Sequence, residues 1–219
     1  MVIAGGHGKI ALQLAALLAG RGDVVTSVVR NPDHRGDVET AGATAAVLDL
    51  ESASVADLAG HLNGADAVVF AAGAGPGSDA GRKDSVDRAA AVLLADAAAQ
   101  AGVGRYLLVS STGVDAAPAP GTDEVGAAYL RAKKAAEDAI RATDLAWTIL
   151  RPGRLTDNPG TGKVLLAEPG RVGEGASRGD VTRADTAAVL AALLDTPGTA
   201  GRVLELREGD TEIMTAVNA

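Results

Sequence analysis

Met1-Val2-Ile3-Ala4-Gly5-Gly6-His7-Gly8-Lys9-Ile10-Ala11 decides how this chain is read. A short apolar run meets a glycine cluster, and apolar residues at helical spacing follow at once. The stretch predicts a strand, a tight turn and the start of a helix. Glycine allows positive φ and removes side chains that would keep a ligand away from the backbone. The first helical turn points free N–H groups and the positive end of its dipole outward. The ligand class that suits this arrangement is a phosphate-bearing anion, with a dinucleotide as the leading candidate. A glycine turn between a strand and a helix also serves purely structural ends, so the downstream residues carry the decision.

Downstream, strands and helices alternate. Ile10 to Leu18 is helical and stops at Gly20 and Gly22. Asp23 to Val29 is a β-branched strand ended by Arg30-Asn31-Pro32, and a short helix follows near Arg35 to Ala41. Ala43 to Leu48 is a third strand, then Ser52 or Ser54 caps a short helix ending at Gly60. Ala65 to Phe70, Arg105 to Ser110 and Leu145 to Leu150 read as strands four to six. Between them lie helices over Asp84 to Ala101 and Ala127 to Ala142. Residues 151–180 are rich in Gly and Pro with one apolar run, Val164-Leu165-Leu166. Thr182 caps a helix to Leu194, and Arg202 to Leu206 is a last strand. Continuously apolar strands alternating with helices predict a doubly wound, mostly parallel α/β sheet with helices on both faces. One Rossmann-like domain over residues 1–219 is expected. Its ligand loops are expected beyond the strands' carboxyl ends, around 74–83, 112–126 and 153–180.

Composition narrows the function. Aromatic residues make up only 2% of the chain, which argues against base-stacking platforms for nucleic acid. A formal net charge of −8 disfavours nucleic acids and anionic membranes as partners. The absence of cysteine excludes disulfides, thiolate metal sites and a thiol nucleophile, and fits a cytoplasmic location. No leader segment is expected before the opening strand, and no apolar run reaches the roughly 20 residues of a membrane helix. His7, His34 and His61 lack ligand spacing, so no metal site is expected.

With this order of motifs, the chain resembles the short-chain dehydrogenase/reductase superfamily along essentially its whole length. It is most similar to the atypical single-domain NAD(P)H-binding members: NmrA-like, flavin-reductase-like and NAD-dependent epimerase/dehydratase-like proteins. Gly5-Gly6-His7-Gly8-Lys9-Ile10-Ala11 matches the GxxGxx(G/A) turn of that family. The resemblance implies cofactor contacts from Gly5, Gly6, His7, Gly8, Lys9 and Ile10, with Gly5 and Gly8 allowing close approach. Arg30 stands where NAD-preferring members carry an acid, beside Asn31. A guanidinium suits a 2′-phosphate, so NADP(H) is expected over NAD(H). Asp49-Leu50 matches the position beside the adenine, although Asp49 would also serve as a helix cap. Ala71-Ala72-Gly73 matches the small-residue turn under the cofactor ribose.

Tyr129-Leu130-Arg131-Ala132-Lys133 is the family's YxxxK motif. Residues i and i+4 share one helix face, so Lys133 is expected near the Tyr129 hydroxyl and the nicotinamide ribose. A positive charge there lowers a phenol's pKa and suits Tyr129 to act as general acid or base. Ser110 is expected at the cofactor, and Ser111 or Thr112 as the hydroxyl that polarises a carbonyl. The fuller members' relay Asn is absent, and Val86-Asp87 stands in its region. Pro152 and Gly153 match an RPG segment beside the nicotinamide, where Arg151 and Arg154 are candidates for an acidic substrate or the cofactor diphosphate. The expected function is an NADP(H)-dependent oxidoreductase acting on a small carbonyl, quinone or flavin-like acceptor, as monomer or homodimer. The alternatives are a non-catalytic NmrA-like redox sensor with a protein partner and, less favoured, a nucleotide-sugar epimerase or dehydratase.

Overall fold

The computed structural model describes residues 1–75, 77–116, 123–171 and 179–219. In chain order the elements are β1 (Val2–Ala4), α1 (Lys9–Gly20), β2 (Thr26–Val29), α2 (Arg35–Thr40), β3 (Thr44–Val47), α3 (Val55–Gly60) and β4 (Ala67–Phe70). Next come α4 (Ala80–Arg82), a π-helical segment (Lys83–Ala89), α5 (Ala90–Ala101), β5 (Arg105–Val109), α6 (Glu124–Arg141) and β6 (Ala146–Pro152). The chain closes with β7 (Arg154–Thr156), β8 (Lys163–Ala167), β9 (Asp180–Thr182), α7 (Arg183–Leu194), β10 (Arg202–Glu208), β11 (Thr211–Glu212) and α8 (Ile213–Val217).

Seven strands run parallel in the order β3-β2-β1-β4-β5-β6-β10, and β8 and β11 extend the edge in antiparallel fashion. Successive strand residues point to opposite faces. Ile3, Val69 and Leu107 therefore join Leu14, Leu18, Leu190 and Leu193 under α1 and α7. Val2, Val68, Tyr106 and Leu108 join Leu58, Leu94 and Ile140 under α3, α5 and α6. With both faces covered, the central strands need apolar residues at every position, which explains their unbroken runs. The strand order reverses between β1 and β4, and the carboxyl ends of those strands open a crevice at the switch point.

The sequence expectations differ from the structure mainly in the second half. The Gly- and Pro-rich 153–180 stretch holds three short strands, and β7 pairs with β9 as a separate two-stranded sheet. The apolar run at Val164 is β8, paired with β10. The helix expected from Asp84 starts at Ala80, where the Asp79 side chain accepts from the Arg82 backbone N–H at 2.8 Å. Ser54, not Asp49 or Ser52, caps α3, in a capping box with Asp57. Parts of the expected ligand loops, at 76, 117–122 and 172–178, lie outside the described residues.

Candidate functional site

The opening turn is held by close packing. Gly5 has φ +80°, and a Cβ there would lie 2.5 Å from the Ala72 Cα. A Cβ on Gly6 would lie 2.4 Å from that of buried Ser27. Gly8 differs. Its φ of −63° suits any residue, and a Cβ would have only carbonyl oxygens near it, at 3.3 and 3.7 Å. Gly8 is the N-cap of α1 and supplies no side-chain cap, so among the described residues the first-turn N–H groups of that helix stay bare. Such an end, with its dipole, favours an anion.

These groups border a cavity of about 290 Å³ at the switch point. It brings together the predicted residues Gly5, His7, Gly8, Arg30, Asp49, Leu50, Ala71, Ala72 and Gly73. It also adds residues that were not expected at the cofactor, among them His34, Glu51, Arg82 and Val86. The His7 ring is stacked on that of His34 at 3.5 Å, and its Nε2 lies 2.7 Å from Asp37. The Asp49 side chain accepts from the Glu51 backbone N–H at 3.1 Å.

At the far end of the cavity two arginines meet one carboxylate. Arg30 Nη1 donates to Glu51 Oε2 at 3.1 Å, and Arg82 Nη2 donates to the same oxygen at 2.9 Å. Ser85 Oγ donates to Oε1 at 2.6 Å. The Ser85 hydroxyl and then the Arg82 guanidinium hold the Glu51 carboxyl below the usual carboxylate range. Arg82 and Ser85 belong to the helical segment after β4, over 30 residues from Glu51, so no local spacing announces them.

Behind Gly73 lies a second cluster. A Cβ on Gly73 would be 3.2 Å from Asp87 Oδ1, and Asp87 Oδ2 accepts from the Ala74 N–H at 3.1 Å. Lys133 Nζ lies 3.1 Å from Asp87 Oδ1 and donates to the Val109 carbonyl at 3.0 Å. The approach to Oδ1 has ion-pair distance without hydrogen-bond alignment, and that oxygen has no hydrogen-bond donor among the described residues. The side chains of Lys133 and Asp87 are 5% and 1% exposed. Lys133, expected near the Tyr129 hydroxyl, thus has its ammonium at ion-pair distance from Asp87. Tyr129 is half-buried, with its ring centre 5.9 Å from Lys133 Nζ and 5.5 Å from Lys83 Nζ. Lys83 is buried and donates to the Gly75 carbonyl at 2.8 Å. The π-helical segment, a common feature of functional sites, carries both Lys83 and Asp87 to this cluster.

Other predicted residues have structural partners. Ser110, expected at the cofactor, is buried and donates to Glu137. Arg151 forms a two-point pair with the same Glu137 and also donates to Asp115, so it is not free for an acidic substrate. Burial opposes the Arg151 charge, but these carboxylates prevail and raise its pKa above the ordinary arginine value. Arg154 pairs with Asp180. Gly153 is required by the fold, since a Cβ would sit 1.9 Å from the Gly179 carbonyl oxygen. The Pro152 carbonyl accepts from the Thr112 N–H at 3.1 Å, and Ser111 Oγ donates to the Thr112 carbonyl at 3.2 Å. Asn31 caps the turn after β2 by accepting from the Asp33 N–H. Lys9 pairs with Asp157 at 2.6 Å, and Ile10 packs into the core. Among the described residues, no group of three or more His, Asp or Glu side chains is placed to hold a metal ion. No helix among them is long and apolar enough to cross a membrane.

A family model described as NAD(P)H-binding matches residues 5–197. The chain is 34% identical over 214 residues to "Uncharacterized sugar epimerase YhfK" of Bacillus subtilis (strain 168), covering 97% of this chain and 96% of the relative. A solved Bacillus halodurans structure, provisionally named an NAD-dependent epimerase/dehydratase, superposes with a TM-score of 0.89 at 32% identity, covering 99% and 97% of the two chains. The oxidoreductase YlbE from Lactococcus lactis gives 0.83 at 25% identity over 100% of this chain and 95% of its own. The chain belongs to the NAD(P)H-binding family and has a Rossmann-like α/β fold.

Proposed function

We propose that this protein is an NADP(H)-dependent oxidoreductase that serves a small carbonyl, quinone or flavin-like acceptor. One observation carries the reading. The bare N-terminus of α1 opens into a crevice whose far end presents two guanidiniums, Arg30 and Arg82. The residues fit the cofactor: the α1 N–H groups suit a diphosphate, and the arginines suit a 2′-phosphate. Ala71, Ala72 and Gly73 leave room for a ribose. Bound nicotinamide supplies or takes the hydride. Tyr129 exchanges the proton at its hydroxyl with the acceptor oxygen, and Ser111 or Thr112 orients that oxygen. The Asp87–Lys133 pair fixes the helix face that carries Tyr129. We place the acceptor against the loops 74–83, 112–126 and 153–180.

The pairing of Lys133 with buried Asp87 favours a second reading, a non-catalytic NADP(H) sensor read by a protein partner. Turnover separates the two. NADPH oxidation is followed by the loss of its near-ultraviolet absorbance with a panel of carbonyls, quinones and flavins, for wild type and Tyr129→Phe. The oxidoreductase reading expects turnover with at least one acceptor. A carbonyl acceptor is expected to lose about 10²-fold or more in kcat with Tyr129→Phe. Tight NADPH binding with no turnover across the panel would leave the sensor reading.

A further inference from the structure

We propose that Glu51 is a built-in counter-anion that occupies the place of the cofactor's 2′-phosphate and so sets the balance between NADPH and NADH. The inference rests on the cofactor reading above. Arg30, from the end of β2, and Arg82, from α4, meet at a single point, Glu51 Oε2. Ser85 completes the set on Oε1. Two guanidiniums and a hydroxyl around one anionic group are the donors that a phosphate monoester also takes. Glu51 caps no helix. The Asp49 side chain fixes its backbone N–H, so a side-chain rotation alone releases the two arginines. Its side chain is one-quarter exposed at the cavity wall.

The consequence is asymmetric. A 2′-phosphate is an anion and must displace the Glu51 carboxylate from both arginines before it can pair with them. A 2′-hydroxyl is a donor, and the carboxylate accepts from it without moving. Glu51 therefore reduces the fraction of chains competent for NADPH and leaves those competent for NADH untouched. The same arginines that select the phosphate are held ready by an internal competitor.

Isothermal titration of wild type, Glu51→Gln, Glu51→Ala and Arg30→Ala with NADPH, NADH, 2′-AMP and 5′-AMP tests this. Both Glu51 variants are expected to bind NADPH and 2′-AMP about tenfold or more tightly than wild type. Binding of NADH and of 5′-AMP, which share a free 2′-hydroxyl, is expected to stay the same or weaken slightly. Retained 5′-AMP binding also shows that the variants are folded. Weaker NADPH binding in the Glu51 variants would overturn the inference, because Glu51 would then be a scaffold that orders the arginines. Arg30→Ala is expected to lower NADPH binding. If it does so while the Glu51 variants match wild type, this inference alone fails. If Arg30→Ala also leaves the NADPH to NADH ratio unchanged, the NADP(H) reading of the crevice fails with it.

Discussion

Replacing Asp87 by Asn tests the buried cluster behind the crevice. Asp87 and Lys133 are 1% and 5% exposed and lie 3.1 Å apart. Asn preserves shape and still accepts from the Ala74 N–H, but it leaves the Lys133 ammonium buried without a counter-charge. Breaking one side of a buried pair costs about 3–5 kcal/mol. The Val109 carbonyl remains a partner for Lys133 at 3.0 Å, so the low end applies, about 3 kcal/mol. A domain of this size loses about 2–4 °C in Tm per kcal/mol, so the melt should fall by about 6–12 °C. Adding Lys133→Met removes the stranded charge and fills the same volume, so the double variant should return to within about 1 kcal/mol of wild type. Thermal melts by circular dichroism at neutral pH, with urea unfolding for the free energies, measure both. An Asp87→Asn melt equal to wild type would refute the argument. So would a double variant as unstable as the sum of the two singles.

Two further predictions concern the turn and the acid limb of stability. Gly6→Ala should cost about 1–3 kcal/mol because its Cβ meets Ser27 in a packed core, whereas Gly8→Val should keep the fold and lose dinucleotide binding by intruding on the α1 N-terminus. Urea unfolding paired with NADPH titration checks this, and equal effects of the two variants on both readouts would contradict it. Glu51 and Asp115 titrate below the usual carboxylate range, Glu51 through Ser85 and Arg82, and Asp115 through Arg151. A depressed folded pKa gives stability that is complete above the unfolded value of about 4 and lost as pH falls through the folded value. The melt should therefore stay level from about pH 7 to 5 and drop below about pH 4, with a shallower drop in a Glu51→Gln, Asp115→Asn double variant. An identical acid slope would show that these pairs contribute nothing.

Much of this architecture is legible in the sequence because parallel strands buried on both faces write continuous apolar runs. The glycine turn is legible because the contacts of Gly5 and Gly6 leave no room for a Cβ. The short strands β7 and β9 are not, because Arg154–Thr156 and Asp180–Thr182 are stabilised by each other across the 23 residues 157–179. Asp87 was visible as an acid in place of the relay Asn, but its contact with Lys133 was not. The π-helical segment from Lys83 to Ala89 departs from the 3.6-residue period, so a helical projection puts those side chains in the wrong directions. Arg151 reads in the sequence as a candidate contact for an acidic ligand. Its partner Glu137, fully buried on an Ala-rich helix, was the available signal, since a lone acid on an apolar helix face needs a counter-charge. Glu51, Arg82 and Ser85 come together only through the fold.

The central claim is that the crevice between β1 and β4 takes a nicotinamide dinucleotide. Co-crystallisation with NADP⁺ tests it most directly. The account predicts the diphosphate at the Gly8 end of α1 and the 2′-phosphate between Arg30 and Arg82, with Glu51 turned away from both. A cofactor bound elsewhere, or one whose ribose lies beside arginines still held by Glu51, would contradict it.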